Sequence, residues 1–196
     1  MQDPIPHKLF MVLLGSKAPG RNVEQHDYFF GIATSIKELV PQMKAFWPEA
    51  GASLHIDGWR EVNKVGEFEI RVIGQPHTGD VSETMSEVPS RKLFFINLGG
   101  YQTNKLEEQH YVVLTVKEDR SLAVKEAKTT AFFKTNFTKG ANSHIDEKYG
   151  IDVDDIYNIE EILDPNLKEK YHIEIVPNGG LAEDPIHLGY FRLNKL

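Results

Sequence analysis

Two short polar motifs, Glu-Gln-His and His-Ile-Asp, each occur twice in this 196-residue chain, and both combine histidine with a carboxylate. The first motif occupies residues 24–26 and 108–110, and the second occupies residues 55–57 and 144–146. On a β-strand, residues two apart share a face, so we expect each carboxylate to lie beside its histidine. The expected pairs are Glu24 with His26, His55 with Asp57, Glu108 with His110, and His144 with Asp146. If the two strands approach each other, each copy gathers two imidazoles and two carboxylates.

Such a set of side chains supports two kinds of chemistry. Imidazoles and carboxylates are ligands for zinc, manganese and non-haem iron, and a histidine oriented by a carboxylate is the minimal general base. The structural alternative is that each histidine donates to a backbone carbonyl and pins the fold, with the carboxylate fixing its tautomer. The spacing between the motifs matches no metal signature, and the chain has no cysteine. No cofactor is therefore predicted, and a divalent metal held by His26, His55 and Asp57 is the alternative.

The first copy carries further chemistry-bearing residues beside its motifs. Asp27 follows His26, so the catalytic candidates are His26, Asp27, His55 and Asp57. Trp59 either covers a ligand or packs against the sheet, and Arg21 is either an anion contact or a solvated loop charge. The candidate ligand-binding residues are Arg21, Glu24, Gln25, His26, Trp59, Glu108, Gln109, His110, His144 and Asp146.

The loop after the first apolar run resembles a phosphate-binding P-loop, because Gly15 is followed by four residues and then Gly20. In a P-loop the second glycine is followed by Lys, then by Ser or Thr, and then by a helix. Here Arg21 leads instead into an aromatic run at 28–30 that is typical of a strand. The second copy has Asn104 in place of Gly20, and these two residue types take positive φ most readily. The sequence therefore predicts a hairpin turn and excludes a nucleotide site.

The sequence contains an internal repeat. Residues 8–26 align with 92–110 without a gap, and residues 68–73 resemble 171–176 further on. Each copy has the pattern strand, strand, helix, strand, strand, which predicts an α+β fold. We therefore expect two diverged copies of one unit, packed about a pseudo-two-fold axis.

The elements of each copy follow from local patterns. The first strand, 9–14, is apolar at successive positions, so both of its faces should be covered. Ser35 and Glu38 fit a capping box, and Pro41 indicates a kink or a late helix start. The second copy's helix should run from Asp119 to Phe133.

The predicted domain boundaries follow the repeat. The first unit covers 7–76, a surface linker covers 77–90, and the second unit covers 91–177. A C-terminal tail, 178–196, should dock onto the body. The acidic stretch 152–163 is interpreted as an insertion between the last two strands of the second unit.

Composition narrows the functional classes. The chain is 40% apolar and 26% charged, with a net charge of −7. A negative net charge disfavours nonspecific binding to nucleic acids or to anionic membranes. The longest apolar run of the chain is too short to span a membrane. We expect a cytoplasmic protein whose partner is an unknown small molecule or protein.

Three segments carry a family resemblance: LFMVLLGSKAPGRNVEQHDYFF, LVPQMKAFWPEA and SLHIDGWREV. They resemble the bacterial family known as domain of unknown function 1543, whose members carry one or two copies of a domain. KLFFINLGGY and EEQHYVVLTV extend the resemblance to the second copy. The resemblance implies a β-grasp, or ubiquitin-like roll, and it implies no reaction and no catalytic residues.

Two functions are open at this point. The favoured one is a non-enzymatic module that binds a ligand or partner through its paired units. The alternative is a hydrolase or oxygenase that depends on a divalent metal held by histidines and carboxylates. The alternative requires His26 and His55 to lie within coordination reach of one ion, so their separation decides between the two.

Overall fold

A computed structural model of the chain describes residues 5–75, 90–101, 106–130 and 153–196. The chain divides into two compact units, one of Met1–Val81 with Leu163–Leu196 and one of Ser82–Ile162. Both are built from small antiparallel sheets with few helices, so the predicted α+β class is confirmed. Among the described residues, the longest and most apolar helix still falls short of what a membrane crossing needs.

Ten strands and four short α-helices form the described part of the chain. The strands are β1 (Lys8–Ser16), β2 (Gln25–Ala33), β3 (His55–Glu61), β4 (Lys64–Val65), β5 (Phe68–Gly74), β6 (Lys92–Tyr101), β7 (Glu108–Lys117), β8 (Val153–Asn158), β9 (Tyr171–Pro177) and β10 (His187–Arg192). The helices are α1 (Val40–Phe46), α2 (Arg120–Ala127), α3 (Ile159–Ile162) and α4 (Pro165–Lys170), and 3-10 turns cover Ile36–Leu39, Pro48–Ser53 and Leu193–Lys195.

The first unit contains two sheets. The larger has the order β10-β3-β1-β2, and the smaller has the order β4-β5-β9. The core of the larger sheet packs Phe10, Val12 and Leu14 of β1 with Leu39 and Met43. The residues that alternate with them on the other face, Leu9 and Met11, are buried as well, which confirms that both faces of β1 are covered.

β1 and β2 form the predicted hairpin. Ser16 lies opposite Gln25 at the end of the hairpin next to the turn, and Gly20 in the turn has φ +77°. That left-handed conformation suits glycine and confirms the predicted turn geometry. The corresponding Asn104 and Lys105 lie outside the described residues.

The start of α1 differs from the predicted capping box. Pro41 lies in the first turn of a helix that begins at Val40, which confirms the late start. Ser35, however, makes no side-chain capping bond. Instead the backbone N–H and hydroxyl of Thr34 donate to Glu38 Oε2, at 3.0 and 2.9 Å. These two hydrogen bonds lower the pKa of the Glu38 carboxyl.

The C-terminal segment, residues 163–196, belongs to the first unit, which differs from the predicted domain boundaries. The repeat assigns β9 to the second unit, but β9 pairs with β5 of the first unit along seven residue pairs. β10, from the predicted tail, pairs with β3. Backbone hydrogen bonding between strands far apart in sequence therefore joins residues 163–196 to the first unit. The predicted linker at 77–90 lies outside the described residues except for Ser90.

The second unit has one described sheet, in the order β7-β6-β8. Its core packs Phe94, Ile96 and Leu98 against Ala123 and Ala127 of α2, which begins after Asp119 as expected. The predicted end of this helix at Phe133 lies outside the described residues.

The acidic stretch of the second unit provides its third strand. β8 pairs with β6, so residues 153–158 are part of the sheet rather than an insertion. All described strand pairs are antiparallel. A ubiquitin-like roll pairs its first and last strands in parallel, so these sheets do not bear out the β-grasp expectation.

Candidate functional site

Four neighbouring strands bring chemistry-bearing residues to one row across the larger sheet. Gly15 of β1 lies opposite His26 of β2 on one side and His55 of β3 on the other. His55 in turn lies opposite Arg192 of β10. Residues directly opposite each other share a face of the sheet. The glycine therefore sits between the two histidines and leaves room above itself.

A β-bulge brings Asp57 to the same row. Leu14 pairs with Ile56 and Leu13 pairs with Gly58, so Asp57 is the extra residue on β3. A bulge of this kind interrupts the alternation of side chains and redirects one of them. Asp57 consequently reaches both histidines, with its Oδ1 3.2 Å from His55 Nε2 and its Oδ2 3.1 Å from His26 Nε2.

His55 is buried and held in one orientation. Its side chain is only 4% exposed, and its Nδ1 lies 2.8 Å from the Ser53 carbonyl oxygen. Because a carbonyl only accepts, Nδ1 carries the proton and Nε2 has a free lone pair in the neutral ring. Ser53 is fixed by its own hydroxyl, which donates to the Ala50 carbonyl and contacts the Ser16 hydroxyl.

The Nε2 atom of His55 faces two carboxylates. It lies 3.0 Å from Glu24 Oε1 and 3.2 Å from Asp57 Oδ1. It makes no hydrogen bond of proper geometry with any described residue, and neither does the buried Asp57 Oδ2. A lone pair directed at two anions is unfavourable unless a cation or a proton lies among them. A positive charge between His55 Nε2 and the two carboxylates would therefore stabilise the cluster.

Gly15 leaves the space that this charge would occupy. A Cβ atom there would overlap Asp57 Oδ2 and lie 2.6 Å from His55 Nε2. No other residue type fits the position without displacing both groups. The ring of Tyr190 packs on the opposite side of His55, with the ring centroids 4.3 Å apart.

The donor atoms fit a first-row divalent metal. One atom from each of Glu24, His55 and Asp57 lies within 4.8 Å of the others, the one such set among the described residues. Zinc binds nitrogen and oxygen at roughly 2.1 Å, which places tetrahedral ligand atoms about 3.4 Å apart. The contacts of 3.0 and 3.2 Å from His55 Nε2 are close to that spacing.

His26 lies at the outer edge of this cluster. Its side chain is 46% exposed, and its Nε2 is 3.9 Å from Glu24 Oε2. It contacts the second oxygens of both carboxylates rather than those nearest His55. His26 is therefore placed to orient the carboxylates from the solvent side. Tyr28 shares its face of β2, and burial raises the pKa of that phenol.

Several predicted site residues lie elsewhere in the first unit. Asp27 alternates to the other face of β2, opposite Leu14, and accepts from the Tyr28 N–H. Trp59 packs against Phe10 and stacks on His187 at 4.0 Å. Arg21 and Gln25 also lie away from the cluster: Arg21 N–H donates to the Ala18 carbonyl in the hairpin turn, and the Gln25 amide donates to the Val23 carbonyl.

The second unit repeats only part of the row. Gly99 lies opposite His110, as Gly15 lies opposite His26, and Glu108 and Gln109 precede His110 on β7. The Asn97 amide nitrogen is 3.4 Å from His110 Nδ1. His144 and Asp146 lie outside the described residues. By register, Val153 opposite Leu98 corresponds to Ile56 opposite Leu14, so β8 occupies beside β6 the position that β3 occupies beside β1.

Three residues of the site have roles that the motifs do not reveal. Gly15 is a loop glycine by its sequence context, and its repetition at Gly99 is the available signal for a close approach. Ser53 orients His55 through a backbone carbonyl, which carries no sequence signature. Tyr190 comes from the C-terminal segment, and only the pairing of β10 with β3 brings it to the site.

Comparisons with known proteins connect this site with a family of unknown function. No curated protein matches the chain. A crystal structure of a protein Il1583 from Idiomarina loihiensis is similar over 95% of this chain and 97% of its own, with 21% identity and a TM-score of 0.61. That likeness concerns the fold. Residues 21–72, which contain Glu24, His26, His55 and Asp57, match one copy of the family described as Domain of Unknown Function (DUF1543).

Proposed function

We propose that the first unit binds one divalent transition-metal ion through Glu24, His55 and Asp57, with His26 orienting the two carboxylates. The observation that carries the proposal is His55 Nε2, a buried atom whose tautomer leaves a lone pair directed between two carboxylates. Nitrogen and oxygen ligands of this kind suit Zn²⁺, Mn²⁺ and Fe²⁺. The backbone carbonyl that holds Nδ1–H is the usual partner of a metal-bound histidine.

The convergence of the two histidines favours this proposal over a binding module without metal. Such a module requires no common partner for His26 and His55, yet both rings contact Asp57. A bound ion also explains why a glycine is needed between them. Three protein ligands leave a coordination position for water or substrate, which is the pattern of catalytic ions. Metal-dependent hydrolysis or oxygenation is therefore the second candidate function, and the three-ligand set is the observation that favours it.

The metal site is tested by direct binding measurements. Protein purified without an affinity tag is analysed for metals, stripped with a chelator, and titrated with Zn²⁺ and Mn²⁺ by calorimetry. We expect about one ion per chain, and we expect Asp57→Asn to weaken binding by at least about a hundredfold. His110→Ala is the matched control, since it removes the corresponding histidine of the second unit and should leave the affinity unchanged.

Two variants keep the test decisive if one of them fails to fold. His55→Ala removes the buried ring, whereas Asp57→Asn preserves the shape of the side chain, and circular dichroism reports whether each is folded. Absence of binding to the native protein, or equal binding to folded Asp57→Asn, would overturn the proposal. An imidazolium at His55, detected by NMR at neutral pH in metal-free and metal-treated protein alike, would show that a proton supplies the positive charge.

We also infer that the chain arose by internal duplication of the β1–β3 unit. The strand orders β2-β1-β3 and β7-β6-β8 agree, and both place a glycine opposite a histidine. β5 and β9, whose sequences resemble each other, pair symmetrically: Ile70 faces Ile175, and Val72 faces Ile173. The inference is tested by a sequence profile of β6–β8 alone, which should match β1–β3 of related chains. A profile that matches only β6–β8 would contradict it.

A further inference from the structure

A cleft of about 770 Å³ lies beside the cluster in the first unit. One wall comes from α1 and the 3-10 turn that follows it, and the other comes from β10 and the C-terminal turn. Its lining includes Lys44, Trp47, Leu54, Tyr190, Arg192 and Leu193. A cavity of this size accommodates a small organic molecule.

The charged groups of the cleft have one sign. Lys44 and Arg192 provide two cations, and none of the residues that line the cleft is acidic. Neither cation forms an ion pair with another residue in the ranges that the structure describes. In a chain whose net charge is −7, an unopposed pair of cations marks this cleft as a place for an anion.

The remaining walls of the cleft are aromatic and apolar. Trp47 and Tyr190 offer ring surfaces, and Leu54 and Leu193 add aliphatic ones. Flat apolar groups pack well against such rings, whereas an inorganic anion would leave these surfaces in water. The lining therefore favours an organic anion with a flat apolar body.

The cleft adjoins the metal site through two residues. Tyr190 lines the cleft and packs against the His55 ring at a centroid distance of 4.3 Å. Arg192 lines the cleft and lies opposite His55 in the β3–β10 register. The cleft lining includes Tyr190 and Arg192 but none of Glu24, His55 and Asp57, so a molecule in the cleft is in contact with the Tyr190 ring rather than with the proposed metal ligands.

We propose that this cleft binds a small aromatic or unsaturated carboxylate or phosphate, and that Lys44 and Arg192 bind its anionic group. Arg192 suits this role because its guanidinium makes paired hydrogen bonds to a carboxylate or phosphate. This proposal is independent of the proposed metal site, because the binding of an organic anion is measurable without metal.

The test uses Trp47 as a reporter. The chain has two tryptophans, so Trp59→Phe leaves Trp47, inside the cleft, as the single tryptophan, whose emission is followed by exciting tryptophan selectively. Metal-free protein with this substitution is titrated with benzoate, phenyl phosphate and the neutral benzyl alcohol. We expect saturable fluorescence changes with at least one of the two anions, and binding at least about tenfold weaker for benzyl alcohol.

Charge-neutralising variants then identify the groups that bind the anion. Arg192→Gln and Lys44→Gln should each weaken anion binding by about tenfold or more. Lys195→Gln is the matched control, because it removes the same charge from the same C-terminal turn but from a residue outside the cleft lining. Its effect should stay below about twofold.

The different failures are distinguishable. If neither anion binds the metal-free protein, or if Arg192→Gln changes binding no more than Lys195→Gln, the cleft proposal is overturned while the metal site is untouched. If the anions bind as expected but Zn²⁺ and Mn²⁺ do not, the metal site is overturned while the cleft proposal stands. Zn²⁺ binding that survives in Arg192→Gln, together with lost anion binding, supports both.

Discussion

The two units place a glycine opposite a histidine at the same register, yet only one of them assembles a cluster among the described residues. In the first unit Gly15 separates His26 from His55, and carboxylates contact both rings. In the second unit Gly99 faces His110, whose Nδ1 lies 3.4 Å from the Asn97 amide nitrogen. The backbone framework of the row is common to both, so the chemistry depends on what the third strand contributes.

The third strand differs between the two units in residue type. The residue before Ile56 is His55, whereas by sequence the residue before Val153 is Asp152. The Nδ1–H of His55 also donates to the Ser53 carbonyl, and this hydrogen bond selects the tautomer of the ring. His110, by contrast, is exposed. Burial, rather than the presence of histidine, therefore distinguishes the row that we propose to bind metal.

The glycine substitutions are expected to give the largest difference between the two rows. Gly15→Ala places a methyl group against Asp57 and 2.6 Å from His55 Nε2, so it should abolish Zn²⁺ binding. Because the neighbouring groups must move, it should also lower the free energy of unfolding by about 1–3 kcal/mol. Calorimetric titration and urea denaturation measure the two effects.

Gly99→Ala serves as the control for that experiment. It introduces the same methyl group at the corresponding position of the second unit, and Zn²⁺ affinity should be unchanged. Equal loss of metal binding in both variants would show that the ion does not belong to the first row.

The helices of the two units differ in what they bury. Met43 of α1 is fully buried in the core of the first unit, whereas α2 buries Ala123 and Ala127. Met43→Ala should therefore lower the free energy of unfolding by about 2–5 kcal/mol, because it leaves a cavity. Ala123→Gly should cost about 1 kcal/mol, chiefly through helix propensity. Urea denaturation of each variant gives both values, and equal costs would contradict the difference in packing.

Local features of the fold could be predicted from the sequence. The β1–β2 hairpin follows from two strand-forming runs around a turn, and the late start of α1 follows from Pro41, since both depend on neighbouring residues. The polar motifs also point to residues of the cluster, because their i, i+2 spacing puts Glu24 near His26 and His55 near Asp57.

The features that the sequence could not reveal depend on long-range pairing. β9 and β10 return to the first unit across about a hundred residues or more, and no local pattern encodes that choice. The bulge that redirects Asp57 arises from the register between β1 and β3. The same limit applies to β8, whose position beside β6 corresponds to that of β3 beside β1 and follows from the strand register.

The helix caps offer a smaller contrast between the units. Asp119 caps α2 by accepting from the Leu122 N–H at 2.9 Å, whereas Ser35 makes no such bond at the start of the first helical segment. Asp119→Ala should therefore destabilise the protein by about 1 kcal/mol, and Ser35→Ala by only a few tenths. Urea denaturation of the two alanine variants distinguishes them, and a larger cost at Ser35 would indicate that its hydroxyl caps the helix in solution.

The smallest expected effect concerns Glu38, whose carboxylate accepts the hydrogen bonds at the start of the first helical segment. Hydrogen bonds from the Thr34 N–H and hydroxyl lower the pKa of its carboxyl below the usual 4.5. A lowered pKa means that the ionised carboxylate contributes stability above the unfolded-state value, and that this contribution is lost as the pH falls through the folded-state pKa. Glu38→Gln keeps an acceptor for Thr34 but removes the charge. The native protein should therefore be slightly more stable than Glu38→Gln at pH values above the unfolded-state pKa, and the difference should disappear as the pH falls below that value through the lowered folded-state pKa. Thermal melts of both proteins across that range measure the convergence, and a difference that persists at the acidic end would show that the carboxylate is not its source.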